Sequence, residues 1–158
     1  MVRAKKARLP ILFIAVILIA YAVNSYVENN SVSRLEESYV TKVIDGDTIV
    51  IAGGQRVRLL SIDTRERGEN CYAEAKARME ELVLLKNITL ERDRENEDQY
   101  DRILRYVYVN DAMINLLMIE EGLAVAYIYE PNVKYRSAFL EAEQAARGEG
   151  GCVWSKLP

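Results

Sequence analysis

The sequence predicts an α+β fold: a five-stranded barrel with three packed helices, preceded by an N-terminal hydrophobic helix. Three observations carry the prediction. Short runs rich in β-branched residues, punctuated by Asp, Asn and Gly, recur between Tyr39 and Val109. Stretches of strong helix formers follow the third of these runs and dominate the last third of the chain. Leu9–Val23 is apolar on all sides and follows a basic start. A length of 158 residues suits one domain of moderate size.

The N-terminus comes first. Arg3, Lys5, Lys6 and Arg8 precede Leu9–Val23, with no acid among them. Basic residues before an apolar run read as a membrane-targeting signal. Fifteen helical residues span roughly 22 Å, short of the roughly 30 Å hydrocarbon core. Extension through Val27 gives about 28 Å, with Tyr26 at the outer interface. Residues 1–8 are therefore expected to be a basic cytoplasmic end, and residues 9–27 a signal-anchor or transmembrane segment. Ala20-Tyr21-Ala22 offers the alternative of a cleaved signal peptide. Residues 28–38 are polar and aperiodic and read as a tether to a body over residues 39–158. Either reading puts the body outside the cytoplasm, membrane-anchored or secreted.

Within the body, Tyr39–Ile44 and Thr48–Ile51 flank Asp45-Gly46-Asp47, and Gly53-Gly54 supplies the positive φ of a hairpin turn before a third strand over Gln55–Ile62. Ala73–Lys86 is helical, with Ala75, Met79, Leu82, Val83 and Lys86 near one face and Asn87 after it. Ile88–Arg92 and Ile103–Val109 are two more strands, with Asn110-Asp111 as a turn. Met113–Glu121 is a helix closed by Gly122, and Tyr135–Arg147 a helix ended by Gly148–Gly151. Five short strands with a helix after the third suggest a Greek-key barrel of the OB type.

Composition narrows the chemistry. There is no histidine, which excludes histidine triads, imidazole bases and His-ligated metals. Two cysteines, Cys71 and Cys152, are too few for a thiolate zinc or iron–sulfur site. In an oxidising compartment the pair can form one disulfide closing about 80 residues, a stabilisation of about 4 kcal/mol on the loop-entropy model; two unpaired thiols are the alternative. The chain carries 21 basic and 24 acidic residues, and removing the four N-terminal cations leaves a body near −7. An acidic body argues mildly against nonspecific nucleic-acid binding.

Three clusters stand out. Asp45-Gly46-Asp47-Thr48 sets two carboxylates around a glycine that relieves backbone strain, a turn able to offer oxygens to a cation or simply to connect two strands. In the run Arg58-Leu59-Leu60-Ser61-Ile62-Asp63-Thr64-Arg65-Glu66, strict alternation puts Arg58 and Asp63 on opposite faces, so they converge only if the strand ends or bulges first. Tyr100-Asp101-Arg102 leads into a strand, and its arginine has Asp98 and Asp101 as candidate partners.

Together with Ala126-Tyr127-Ile128-Tyr129-Glu130-Pro131-Asn132 and Trp154-Ser155, these clusters resemble the staphylococcal-type thermonuclease (micrococcal nuclease) family from about Tyr39 to Ser155. The resemblance implies a Ca²⁺-dependent endonuclease that hydrolyses phosphodiester bonds of DNA and RNA at P–O5′ and leaves 3′-phosphate ends. It implies Asp47, Asp63 and the Thr64 carbonyl as Ca²⁺ ligands, with Asp45 in the outer shell. It makes Glu66 the general base, and Arg58 and Arg102 the guanidiniums on the scissile phosphate. Tyr100, Tyr127 and, less directly, Tyr129 line the nucleotide site.

The chemistry agrees. A phosphodiester is anionic, so cations and permanently charged planar donors stabilise oxygens that gain charge, and a carboxylate can accept the proton of attacking water. Calcium favours flexible all-oxygen ligation. The match departs at Arg65, where a proline is usual, at Asp101, where the family tends to have glycine, and at Gln99, where a lysine would help to bind the terminal phosphate. Asp101 is expected to draw Arg102 from phosphate, and Glu66 to be less rigidly held. Ca²⁺ with Arg56, Arg58, Arg102 and Arg105 is expected to offset the acidic field. The alternatives are a non-catalytic nucleic-acid- or protein-binding OB-fold domain at the cell surface, and a structural calcium-binding module. The expected partners are nucleic acid and, through the N-terminus, the membrane; a monomer is expected.

Overall fold

Five strands close the body into a barrel, in a computed structural model that describes residues 9–30 and 35–155. Strands β1 (Leu35–Val43), β2 (Thr48–Ile51) and β3 (Arg56–Leu59) form an antiparallel meander. β1 also pairs with β5 (Asn87–Glu91), and β5 with β6 (Ile103–Val109). The barrel closes where β3 meets β6 in parallel, with Val57 opposite Ile103 and Leu59 opposite Arg105. The short β7 (Ala112–Met113) extends the sheet from β6, while β4 (Ile62–Asp63) pairs with β8 (Val125–Ala126) outside it. The five-stranded barrel is thus the one expected.

Three helices pack on it: α2 (Tyr72–Val83), α3 (Ile114–Glu120) and α4 (Arg136–Glu149). Ala75, Met79 and Val83 of α2, Ile114, Met118 and Ile119 of α3 and Phe139 of α4 join Val40, Ile49, Val57, Leu59, Leu90 and Leu104 in one buried core. α2 is shorter than expected. Lys86 is not on its buried face but beyond its end, where Nζ donates to the carbonyls of Glu81 (2.6 Å) and Leu82 (3.0 Å) and caps the C-terminus.

Four expectations change. Leu35–Ser38 are not tether but the first part of β1, because their backbone pairs with Ile88–Glu91. The third strand is broken: it stops at Leu59 and resumes as β4, with Ser61 in the left-handed region (φ 63°). Gly46 does not relieve strain, since its φ is not positive. A Cβ there would lie 2.7 Å from Thr64 Cγ2 and 2.9 Å from the Ala75 Cβ, so glycine supplies room for the turn to reach α2. Arg105 is not a free surface cation. It is 4% exposed, with Nη2 on Asn96 Oδ1 (3.0 Å) and near Glu36 (3.6 Å).

The N-terminal residues form a separate unit, described here by itself. The apolar stretch does form a helix, α1 (Leu9–Asn30), with Phe13, Ile17 and Tyr21 exposed. Among the described residues, no helix is long and apolar enough to cross a membrane. The basic residues 1–8 lie outside the described residues.

A polar cluster ties β5 to the segment before α4. The Glu91 carboxylate, 4% exposed as a residue, accepts from Tyr108 (2.6 Å) and Tyr135 (2.8 Å) and pairs with Lys134. Burial pushes the Glu91 carboxyl up, but donation from Lys134, Tyr108 and Tyr135 outweighs it and holds the pKa below the ordinary 4.5. A carboxylate with a depressed folded pKa contributes stability above its unfolded pKa, and that contribution is lost as pH falls through the folded value. The unfolding free energy, measured by denaturant titration, is therefore expected to fall on acidification below about pH 5, and to fall less in Glu91→Gln. Identical acid limbs for the two proteins would remove Glu91 from the account.

Candidate active site

The break in the third strand builds the site. Leu59 N–H donates to the Asp47 carbonyl (2.8 Å) and Leu60 N–H to the Arg105 carbonyl (2.9 Å), which ends the strand at the barrel wall. The left-handed Ser61 then turns Asp63 to the side that carries Arg58. Arg58 Nη2 lies 3.0 Å from Asp63 Oδ1, and Nε 3.3 Å from Asp47 Oδ1. Nη1 donates to the carbonyls of Leu59 (2.7 Å) and Ile62 (2.8 Å), so the guanidinium is fixed on both edges. The condition for Arg58 and Asp63 to converge is met.

Asp47 is the hub of the first cluster. Its Oδ2 accepts from the Thr64 N–H (3.0 Å) and Oγ1 (3.1 Å), and its Oδ1 from the Thr48 hydroxyl (3.0 Å). Asp45 Oδ1 accepts from the Asp47 N–H (3.1 Å), which places Asp45 behind Asp47. Burial raises the Asp45 pKa, and the charge of Asp47 adds to the rise. Burial also raises that of Asp63. Arg58 opposes this, while the charges of Asp47 and Glu66 add to it and Arg65 lowers it. Carboxylates that repel one another in a partly dry place favour a cation.

The donors fit a hard cation in kind. Asp47, Asp63 and the Thr64 carbonyl offer only oxygen, as calcium prefers. Among the described residues no group of three or more His, Cys, Asp or Glu is placed to hold a metal.

Beside this cluster an open cleft of about 340 Å³ is lined by Arg58, Tyr100, Arg102, Tyr127, Tyr129 and Asp98 among others. Pairing of β4 with β8 brings the tyrosines there, since Ile62 faces Ala126 and the Tyr127 N–H donates to the Ser61 carbonyl (3.0 Å). The rings of Tyr127 and Tyr129 are 5.8 Å apart, and Tyr100 and Tyr127 are each more than half exposed. Burial and the charge of Glu95 raise the Tyr129 pKa.

Of its two candidate partners, Arg102 takes Asp98 at the edge of the cleft. Its Nε donates to Asp98 Oδ2 (2.7 Å), not to Asp101, and its guanidinium lies 5.4 Å from the Tyr100 ring. Burial raises the Asp98 pKa, but the N–H groups of Tyr100 and Arg102 and the Arg102 side chain more than reverse it. Asp101 adopts φ 58°, the conformation a glycine would take at that place. Arg56, exposed, donates to the Tyr100 carbonyl and helps shape the loop.

Glu66 is outside the cleft lining and exposed, close enough to Asp63 to raise its pKa. Among the described residues its carboxylate has no hydrogen-bond or ion-pair partner. Cys71 and Cys152 are bonded to each other, with Cα atoms 5.8 Å apart. Sequence reasoning missed Asn115, which is fully buried. It accepts from the Val107 N–H (2.8 Å) and donates to the carbonyls of Leu60 (2.9 Å) and Arg105 (3.2 Å), holding the strand break open. An asparagine in an apolar helix was the only signal available.

Comparison with known proteins gives the same direction. The family described as Staphylococcal nuclease homologue matches residues 56–156, a span holding every cleft arginine and tyrosine named above but beginning after Asp47. The thermonuclease of Staphylococcus intermedius is 38% identical over 130 residues, 76% of this chain and 77% of that protein. Endonuclease YncB of Bacillus subtilis (strain 168) is 43% identical over 134 residues, 78% of this chain and 64% of its own length. The SPbeta prophage-derived endonuclease YokF of the same strain is 41% identical, over 78% of this chain and 45% of its own. The family match runs through the strand break that joins Arg58 to Asp63 and on past the C-terminal helix, and with these relatives it shows that the chain belongs to the staphylococcal nuclease family and that its enzymatic class is that of a nuclease hydrolase.

Proposed function

We propose that this chain is a Ca²⁺-dependent endonuclease that cleaves phosphodiester bonds of DNA and RNA and leaves 3′-phosphate ends. The observation that carries the reading is the convergence of two arginines and three tyrosines on one cleft, with Asp63 bonded to the nearer arginine. Arg58 and Arg102 donate to non-bridging oxygens of the phosphate and stabilise the charge that grows there. Tyr100, Tyr127 and Tyr129 give flat faces and hydroxyls to the bases and sugars of a single strand. Glu66, exposed and without a side-chain partner among the described residues, takes the proton of the attacking water. Asp47, Asp63 and the Thr64 carbonyl would hold the calcium, which when bound neutralises phosphate charge and orients the nucleophile.

The experiment is digestion of plasmid and of single-stranded DNA and RNA, with calcium or with chelator, followed by end-group analysis. Cleavage that needs calcium and leaves 3′-phosphates is expected; cleavage unaffected by chelation, or 5′-phosphate ends, sinks the reading. Because Arg58 and Arg102 bind substrate by meeting its phosphate, activity is expected to fall as salt rises. Rates constant from 50 to 200 mM salt would contradict that.

We also propose that residues 9–27 act as an export signal or anchor, with the nuclease body, which begins at β1, extracytoplasmic. Support comes from Arg3, Lys5, Lys6 and Arg8 before the apolar run and from the exposed apolar side chains of α1. The disulfide also belongs in an oxidising compartment. Fractionation of cells making the full chain, with protease protection, distinguishes membrane-held, released and cytoplasmic protein; a cytoplasmic pool alone refutes the proposal.

A further inference from the structure

The loop that carries Glu66 is exposed from Arg65 to Asn70, and its cross-ties converge on one short segment at the other end of the body. Arg65 Nη2 donates to the Val153 carbonyl (3.2 Å). Asn70 Nδ2 reaches Ser155 Oγ (3.5 Å). Cys71, buried, is bonded to Cys152, 81 residues later in sequence. That segment, a single turn over Cys152–Trp154, is itself anchored, since the Val153 N–H donates to the Gly122 carbonyl (3.0 Å). Inside the loop the ties are purely local: the Glu66 N–H donates to Glu69 Oε2 (2.8 Å) and the Glu69 N–H to the Glu66 carbonyl (2.9 Å). Upstream, Thr64 is locked to Asp47.

Glu66 therefore sits between one anchor inside the barrel and a second anchor made by the C-terminal segment. Between loop and segment lies an open cleft of about 400 Å³ lined by Arg65, Gly68, Asn70, Cys71, Cys152 and Val153 among others, so no side-chain packing substitutes for the ties. We propose that Arg65 and the Cys71–Cys152 disulfide are positioning elements for the reaction, a clamp that uses the C-terminal turn to hold Glu66 where it meets the attacking water. Arg65 does with a hydrogen bond to a distant carbonyl what a fixed φ would do locally. The disulfide narrows the range of the loop's other end. The clamp touches neither phosphate nor the tyrosine cleft, so it acts on turnover and not on substrate affinity.

This inference rests on Glu66 as the base, and a double-mutant cycle separates the two. In otherwise wild-type protein, Cys71→Ser/Cys152→Ser and Arg65→Ala are each expected to lower kcat by roughly 10- to 100-fold, as ångström-scale misplacement of a reacting group does, with KM little changed. In a Glu66→Gln background the same changes are expected to lower the residual kcat less than twofold, because there is no base left to position. Assays run well below each variant's Tm, with circular dichroism matching wild type, exclude unfolding. Hydrogen exchange is expected to rise over residues 65–70 in both variants. Full kcat in the folded variants, an effect confined to KM, or equal losses in both backgrounds overturns the clamp. A Glu66→Gln protein with wild-type activity instead overturns the proposed base and leaves the clamp without a function.

Discussion

Glu66→Gln is expected to lower the turnover of this nuclease by about 10²- to 10⁴-fold while leaving its stability within about 0.5 kcal/mol of wild type. The side chain is exposed and bonded to nothing among the described residues, so its replacement removes a proton acceptor and no structural contact. Arg102→Ala is expected to cost about 10²- to 10³-fold, the usual effect of removing one donor to a developing oxyanion. Arg102→Lys should restore little, because a point charge cannot keep the Asp98 bond and present a planar donor edge to phosphate together. Single-turnover rates on a defined oligonucleotide measure all three. Because the chain has no histidine, the wild-type pH profile should show no imidazole step near 6.5. Near-wild-type turnover in Glu66→Gln would remove it as the base, whatever the other variants do.

Asn115→Ala is expected to destabilise the body by about 3–5 kcal/mol, a large share of the 5–15 kcal/mol typical of a domain. The side chain satisfies one backbone N–H and two carbonyls in a place with no access to water. Truncation leaves the Val107 N–H and the Leu60 carbonyl buried and unpaired, each worth about 1–3 kcal/mol, while the Arg105 carbonyl keeps only its bond from the Leu60 N–H. Thermal unfolding followed by circular dichroism is expected to shift down by about 10 °C or more. Activity should fall too, since the Leu60 carbonyl precedes Ser61, whose left-handed turn puts Asp63 beside Arg58. A shift below 2 °C would show that the freed groups find other partners.

Much of this molecule was legible along the chain. The runs Thr48–Ile51, Ile88–Glu91 and Ile103–Val109 and the helices after them follow from period and turn residues, which act over a few residues and are printed in the sequence. The lack of histidine excluded imidazole chemistry before any coordinate, and the family resemblance carried by the motifs pointed to a nuclease. What the chain alone left open were questions of partner. Asp101 adjoins Arg102 in sequence and Asp98 lies four residues before it, yet only Asp98 reaches it, because Asp101 takes the left-handed turn. Arg105 looked like a substrate cation and is a buried strut, since its strand faces inward at the parallel closure. Leu35–Ser38 read as tether because β5, the strand that orders them, lies some fifty residues on. Gly46 is required for space beside Thr64 and Ala75, and Asn115 for three backbone groups distributed over two segments. Local propensity depends on near neighbours and so survives in one dimension. Hydrogen-bond pairing, steric room and desolvation depend on which distant segments meet, and only the closed barrel decided those.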